Sequence, residues 1–149
     1  MKVVRKIMVA VDFSDISKSS AKFAAALAAE LGADLLLVNV INQRDVDILK
    51  QISENAPRFS FEEHLEENRQ EREKMFERFI LGLTRPGLKI ESRIRTGYPY
   101  KELMRELEAQ KPDLLVMGRK GRSNLVDTIV GSCAQKMFRR CPIPLLCTP

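Results

Sequence analysis

The stretch Asp113-DLLVMGRKGRSNLVDTIVGSC-Cys133 decides how this chain is read. Its first five residues, Asp113 to Met117, form a short apolar run of strand length. Glycines follow at Gly118, Gly121 and Gly131, with Ser132 directly after the last, and Arg119, Lys120 and Arg122 lie between them. A helix from about Ser132 to Arg140 comes next, ended by Pro142 and Pro144. Strand, glycine-rich turn and helix in that order are one crossover unit of a parallel sheet. A backbone can cradle an anion only where side chains leave its N–H groups open, hence glycine. A helix start adds free N–H groups and a positive dipole end. Two known phosphate loops are absent: neither GxxxxGK[ST] nor GxGxxG occurs.

Working outward, the same alternation recurs. RKIMVAV at 5–11 and LLLVNVI at 35–41 are apolar runs of strands buried on both faces. Ser14 suits the cap of the intervening helix, Asp15 its positive end and Gly32 its stop. Phe23, Ala24, Leu27 and Leu31 fall on one face of that helix and predict its buried stripe. Residues 42–60 show no clear period, and Pro57 predicts a loop or broken helix there. Phe61 to Leu83 carries one apolar stripe (Phe61, Leu65, Phe76, Phe79, Ile80 and Leu83) among dense charge, a surface helix. Lys89 to Arg95 is a third, more exposed strand. In TGYPY at 96–100, Pro99 suits a first helical turn, and Leu103, Met104 and Leu107 form the buried face that follows. Leu145 to Thr148 closes the chain as a fifth strand.

The predicted fold is α/β: a single domain over 1–149, an open five-stranded parallel sheet in order 3-2-1-4-5 with helices on both faces, Rossmann-like. In such sheets ligands bind beyond the carboxyl ends of the strands, where the order reverses. That point lies between strands 1 and 4, which brings Asp12 and Gly118 to one crevice.

Composition narrows the function. The chain has 149 residues, 44% hydrophobic and 30% charged, which reads as a globular protein rather than a disordered one. No apolar run reaches the roughly 20 residues of a membrane span. The run Ile7 to Val11 stops at Asp12, too short for a signal peptide. Three cysteines without a CxxC pair, and one histidine, form no zinc pattern; sparse, odd thiols suit a reducing cytoplasm. The net charge of +5 is unevenly placed. Arg119, Lys120, Arg122, Lys136, Arg139 and Arg140 face only Asp127 within 119–140. An anion site or a solvated basic face both account for this. Few aromatics lie near these cations in sequence, so nothing there signals a base-stacking platform. His64 lies on the charged helix, away from the crevice. Cys133, at a helix N-terminus, is placed either as a packing residue or as a thiol of lowered pKa.

Nearly the whole chain resembles the universal stress proteins, in their ATP-binding branch. VAVDFSD at 9–15, LLLVNVI at 35–41, TGYP at 96–99, DLLVMGRKGRSNLVDTIVGS at 113–132 and CPIPLLCT at 141–148 carry the resemblance. It implies ATP or another adenine nucleotide in the crevice; the phosphates of such a ligand could recruit Mg²⁺, with Asp12 a further candidate. It implies that Asp12 contacts the nucleoside, with Ala10 and Val11 lining it, and that Val40 meets adenine through its backbone. Met117 precedes the loop. Gly118, Gly121, Gly131 and Ser132 hold ribose and phosphates. Arg119, Lys120, Arg122, Ser123 and Asn124 lie along the loop, and Cys133 and Ala134 at the helix start. The family often has Ser or Thr then His where Arg119 and Lys120 stand, and a small residue at Cys133. A homodimer paired through the last strand is implied too. The uncovered edge of that strand gives this a physical motive.

For Asp12, the rival reading is a simple cap of the first helix. For function, three classes remain open. One is a nucleotide-dependent stress-response or signalling module with little or no hydrolysis, since no arranged base or Walker-type acid is present. Another is an adenylating enzyme or ATP hydrolase on a related sheet, whose HxGH or SGGxDS loops are absent. The last is a nucleotide-free dimeric interaction module.

Overall fold

The computed structural model describes residues 3–120 and 130–149. Gly121, Arg122, Ser123 and Asn124 lie outside them. The described chain alternates β1 (Lys6–Ala10), α1 (Asp15–Leu31), β2 (Asp34–Asn42), α2 (Gln43–Asn55), α3 (Phe61–Leu81), β3 (Ile90–Gly97), α4 (Pro99–Gln110), β4 (Leu114–Gly118), α5 (Ser132–Arg140) and β5 (Leu145–Thr148). All pairings are parallel, in the order β3-β2-β1-β4-β5, as the alternation predicts. Val9 stands between Leu37 and Val116 at the sheet centre, and all three are buried. Covered on both faces, the central strands have no reason to alternate apolar with polar residues.

One core lies under α1, α2 and α3, around Ala24, Leu37, Val46 and Phe76. The other lies under α4 and α5, around Met8, Leu107, Leu115 and Met137. Helices therefore cover both faces.

Ser14 caps α1, accepting from Ser17 N over 3.2 Å, and Gly32 stops it at φ 64°. The buried stripe of α1 holds at Ala24 and Leu27 and differs from expectation at Phe23 and Leu31. Phe23 is 50% exposed and Leu31 45%, whereas Ala21, Ala24, Ala25 and Ala28 face the sheet with Ser17 and Ser20. Small side chains let the helix backbone approach the sheet closely, and the larger apolar residues are left on the rim.

The stretch read as a loop or broken helix holds α2, with Asn42 as cap accepting from Arg44 N. Only Val46 of α2 is buried, too few anchors to write a period into the sequence. Pro57 falls in the gap before α3, where the break was expected. Phe76 of α3 meets Phe13 edge-on, with ring centroids 4.8 Å apart.

β3 is an edge strand, and its charges are engaged. Arg95 Nε donates to Oε1 of Glu106 on α4, and Arg93 Nε stands 3.9 Å from Oε2. Glu106 is only 3% exposed, so these cations offset the cost of its burial.

Candidate functional site

β1 ends at the centre of the sheet, and the next residues form one bank of a crevice. Val11 N donates to Val38 O over 2.8 Å, and Val11 O accepts from Asn39 Nδ2 over 2.7 Å. Asp12 N donates to Ser17 Oγ. Asp12 Oδ1 accepts from Ser14 N over 3.0 Å and from Ser14 Oγ over 2.5 Å. The cap of α1 is thus Ser14; Asp12 steadies it from two residues upstream while also lining the crevice. Phe13 makes the bend at φ 63°. This conformation is unfavourable for a bulky residue, and burial of its ring against Phe76 holds it there.

The facing bank comes from β4 and α5. Gly131 N donates to Arg119 O over 2.7 Å, so the chain leaves β4 and enters α5 at one clasped point. Arg119 N donates to Thr148 O of β5. Gly131 caps α5 without a side-chain hydrogen bond, so the cap residue itself leaves the first-turn N–H groups to other partners. Its φ of −69° is open to any residue, so its backbone does not require glycine. Gly118 is glycine for a packing reason: a Cβ there would stand 2.5 Å from Ile16 Cγ2 and 3.1 Å from Lys120 O. The first turn of α1 presses on the end of β4.

The crevice between these banks measures about 510 Å³. Of the residues expected there, Ala10, Val11, Asp12 and Val40 line one side. Met117, Gly118 and Lys120 line the end of β4, and Gly131, Ser132, Cys133 and Ala134 the start of α5. Arg119 does not line it; its backbone serves the clasp instead. Gly121, Arg122, Ser123 and Asn124, also expected there, lie outside the described residues.

The structure adds residues that the sequence reading passed over. Asn39 and Arg72 line the crevice from the α3 side, and Tyr98, Tyr100 and Leu103 from α4 and the turn before it. Lys136 stands one turn into α5, its Nζ 5.7 Å from the Tyr100 ring centroid. Few aromatics adjoin the basic segment in sequence, yet the fold brings Tyr100 to its Lys136. The one signal available was Asn39, a lone amide inside an otherwise apolar strand.

The lining mixes charge and apolar surface. Lys120, Lys136, Arg44 and Arg72 are set against Asp12 and Asp45. Ala10, Val40 and Tyr100 rest on the α4–α5 core. Burial pushes the Cys133 thiol up to about 11, against the pull of Lys136 and with a further push from Asp12. Cys133 is therefore not a low-pKa thiol, and desolvation is the largest influence on it. Among the described residues no three His, Cys, Asp or Glu side chains gather as metal ligands. His64 lies off the crevice, stacked on Phe59 with Nδ1 2.8 Å from Ser60 O. A second groove of about 400 Å³ runs between α3 and β3. Its Arg69 pairs with Glu73, and its Arg93 and Arg95 with Glu106, so its cations are largely answered internally.

Lys120 and Lys136 beside the start of α5, Arg44 and Arg72 across from them, and an apolar floor at Ala10, Val40 and Tyr100 fit an elongated molecule with an anionic end and a flat apolar end. A nucleotide has that form.

Comparison with known proteins agrees with the architecture. The universal stress protein MJ0531 of Methanocaldococcus jannaschii is 29% identical over 142 residues, covering 95% of this chain and 80% of the relative. MJ0577 of the same organism is 25% identical over 150 residues, covering 95% and 93%. Its solved structure superposes with a TM-score of 0.83 over 99% of this chain and 96% of that one, at 22% identity. A universal stress protein in complex with cAMP aligns at TM-score 0.63, 22% identical over 99% and 98% of the two chains. One from Archaeoglobus fulgidus in complex with dAMP aligns at 0.66, 17% identical over 98% of each. The model of the universal stress protein family matches residues 4–149, and with it the alternating fold and the crevice at the β1–β4 reversal are accounted for: the chain belongs to the universal stress protein family.

Proposed function

We propose that the crevice binds an adenine nucleotide, ATP foremost, and that the protein is a nucleotide-dependent stress-response or signalling module with little or no hydrolysis of its own. The observation that carries this reading is the meeting of Asp12 with Gly131 and Ser132 in one crevice at the reversal of strand order. The cAMP and dAMP complexes of fold neighbours support the ligand class. In this reading the phosphates lie on the start of α5, with Lys120 and Lys136 supplying charge. The ribose lies by Asp12 and the adenine by the Val40 backbone. Mg²⁺ arrives with the phosphates, beside Asp12. The chain works as one cytoplasmic domain, and two copies pair along β5.

Calorimetry with ATP, ADP, AMP and GTP tests the reading, together with mass spectrometry of nucleotide released on mild denaturation. Micromolar to millimolar binding of an adenine nucleotide is expected, lost in Gly131→Val, whose side chain occupies phosphate space. Failure of every adenine nucleotide to bind at millimolar concentration overturns it. Phosphate release is expected to fall well below the roughly 10 s⁻¹ typical of enzymes. A rate at or above that level, abolished by a crevice mutation, moves the protein to the enzyme class.

A further inference from the structure

Tyr98 occupies the cap position of α4 yet makes no side-chain cap hydrogen bond. Ser, Thr, Asp and Asn are favoured there because they satisfy the free N–H groups of the first turn. A tyrosine gives up that contribution, and the residue is, in addition, 49% exposed. The backbone holding it is tightly set. Gly97 has φ 151°, and a Cβ on it would stand 2.6 Å from Glu102 Oε1. Glu102 in turn accepts from Arg105 Nη1 over 2.5 Å. Pro99 follows at the first helical position. The ring is thus presented from a constrained turn, against local helix preference, and it lines the crevice. Local rules broken at a rigid position are the mark of a site rather than of chance.

Its place within the crevice is equally specific. Gly97 pairs with Asn42 across β3 and β2, two residues beyond Val40. Tyr98 therefore emerges on the β2 side, away from the start of α5. The apolar lining there includes Val40, on the same strand as Asn42, and Leu103 of α4. Lys101, which does not line the crevice, places Nζ 5.5 Å from the ring centroid.

We infer that Tyr98 is a stacking wall for the base of the bound nucleotide, an inference that rests on the nucleotide reading of the crevice. A π-face recognises any flat base. Tyr98 accordingly supplies affinity for the base without choosing adenine over guanine, and that choice falls to groups at the base edge.

The chain has two tyrosines and no tryptophan, and both tyrosines line the crevice, so tyrosine fluorescence reports on this site alone. ATP is expected to change the emission of the parent protein. In calorimetry, Tyr98→Ala weakens ATP by about tenfold, the scale of one lost base–aromatic stack. Tyr98→Phe binds ATP like the parent. Tyr98→Leu, which keeps apolar bulk without a π-face, behaves like Tyr98→Ala. Tripolyphosphate, which has no base, competes equally well in all four proteins. The inference is overturned if Tyr98→Ala binds ATP as the parent does, or if tripolyphosphate weakens in step with ATP, which marks a general disturbance of the site. A parent that binds no nucleotide overturns the reading of the crevice itself, a separate result from an undiminished Tyr98→Ala.

Discussion

Arg72, in the middle of α3, donates from Nη1 to Asn39 Oδ1 over 2.8 Å, while Asn39 donates from Nδ2 to Val11 O over 2.7 Å. One buried amide thereby ties the long charged helix to the strand end that carries Asp12. Asn39 is 1% exposed, so each of its bonds replaces one that water would otherwise make.

Asn39→Ala removes both bonds at once and strands the Val11 carbonyl. The expected cost is about 1–3 kcal/mol, read as a lower urea midpoint at unchanged slope. Because Val11 leads directly into Asp12, nucleotide affinity should fall as well. A midpoint equal to the parent's would mean that the Val11 carbonyl has found another partner.

Gly118→Ala tests whether that glycine serves packing. The new methyl meets Ile16 Cγ2, and the expected cost is about 1–3 kcal/mol for an overpacked contact. Ile16→Ala in the same chain should recover part of it, a non-additivity that a double-mutant cycle measures. Strictly additive costs would place the demand for glycine elsewhere.

Cys133 makes stability depend on alkaline pH. The folded chain raises its thiol from 9.0 to about 11 through burial, so it holds the proton more tightly than the unfolded chain. The associated stabilisation is complete below pH 9 and is lost as pH rises toward 11, up to about 3 kcal/mol in all. Cys133→Ala should therefore lose less stability than the parent between these pH values, measured by urea unfolding. Parallel curves for the two proteins would sink the assignment. At pH 8 the parent's Cys133 should also react slowly with iodoacetamide, since the thiolate is the nucleophile.

The proposed dimer rests on β5. Leu145, Leu146 and Cys147 carry no charge at the sheet's open edge, and each is half-buried. An uncharged edge invites pairing, and two copies about a two-fold axis satisfy both edges at once. Light scattering after gel filtration at tens of micromolar should give twice the 17.0 kDa chain mass. A monomer mass would refute dimerisation, and a dimer with fast-exchanging amides over 145–148 would refute this interface.

The order of elements was legible from sequence because its signals are local. Buried strands are apolar along their whole length, and Ser14, Gly32 and Pro99 mark helix ends through groups within four residues of themselves. The crossover rules then leave few sheet orders. Local signals failed where the deciding neighbour was distant or small. The stripe of α1 holds at Ala24 and Leu27 but fails at Phe23 and Leu31, because alanines set its distance from the sheet. Helix α2 left no period because Val46 alone anchors it. The floor of the crevice was legible at Asp12, Gly131 and Ser132, which stand at strand and helix ends. Its walls were not. Asn39 meets Arg72 across 33 residues, Gly118 meets Ile16, and Tyr98 and Lys136 reach the same space from different helices. These contacts exist only once parallel strands have brought the ends of β1, β2, β3 and β4 side by side. Sequence periodicity records which face of an element is covered, whereas tertiary packing alone decides which residue covers it.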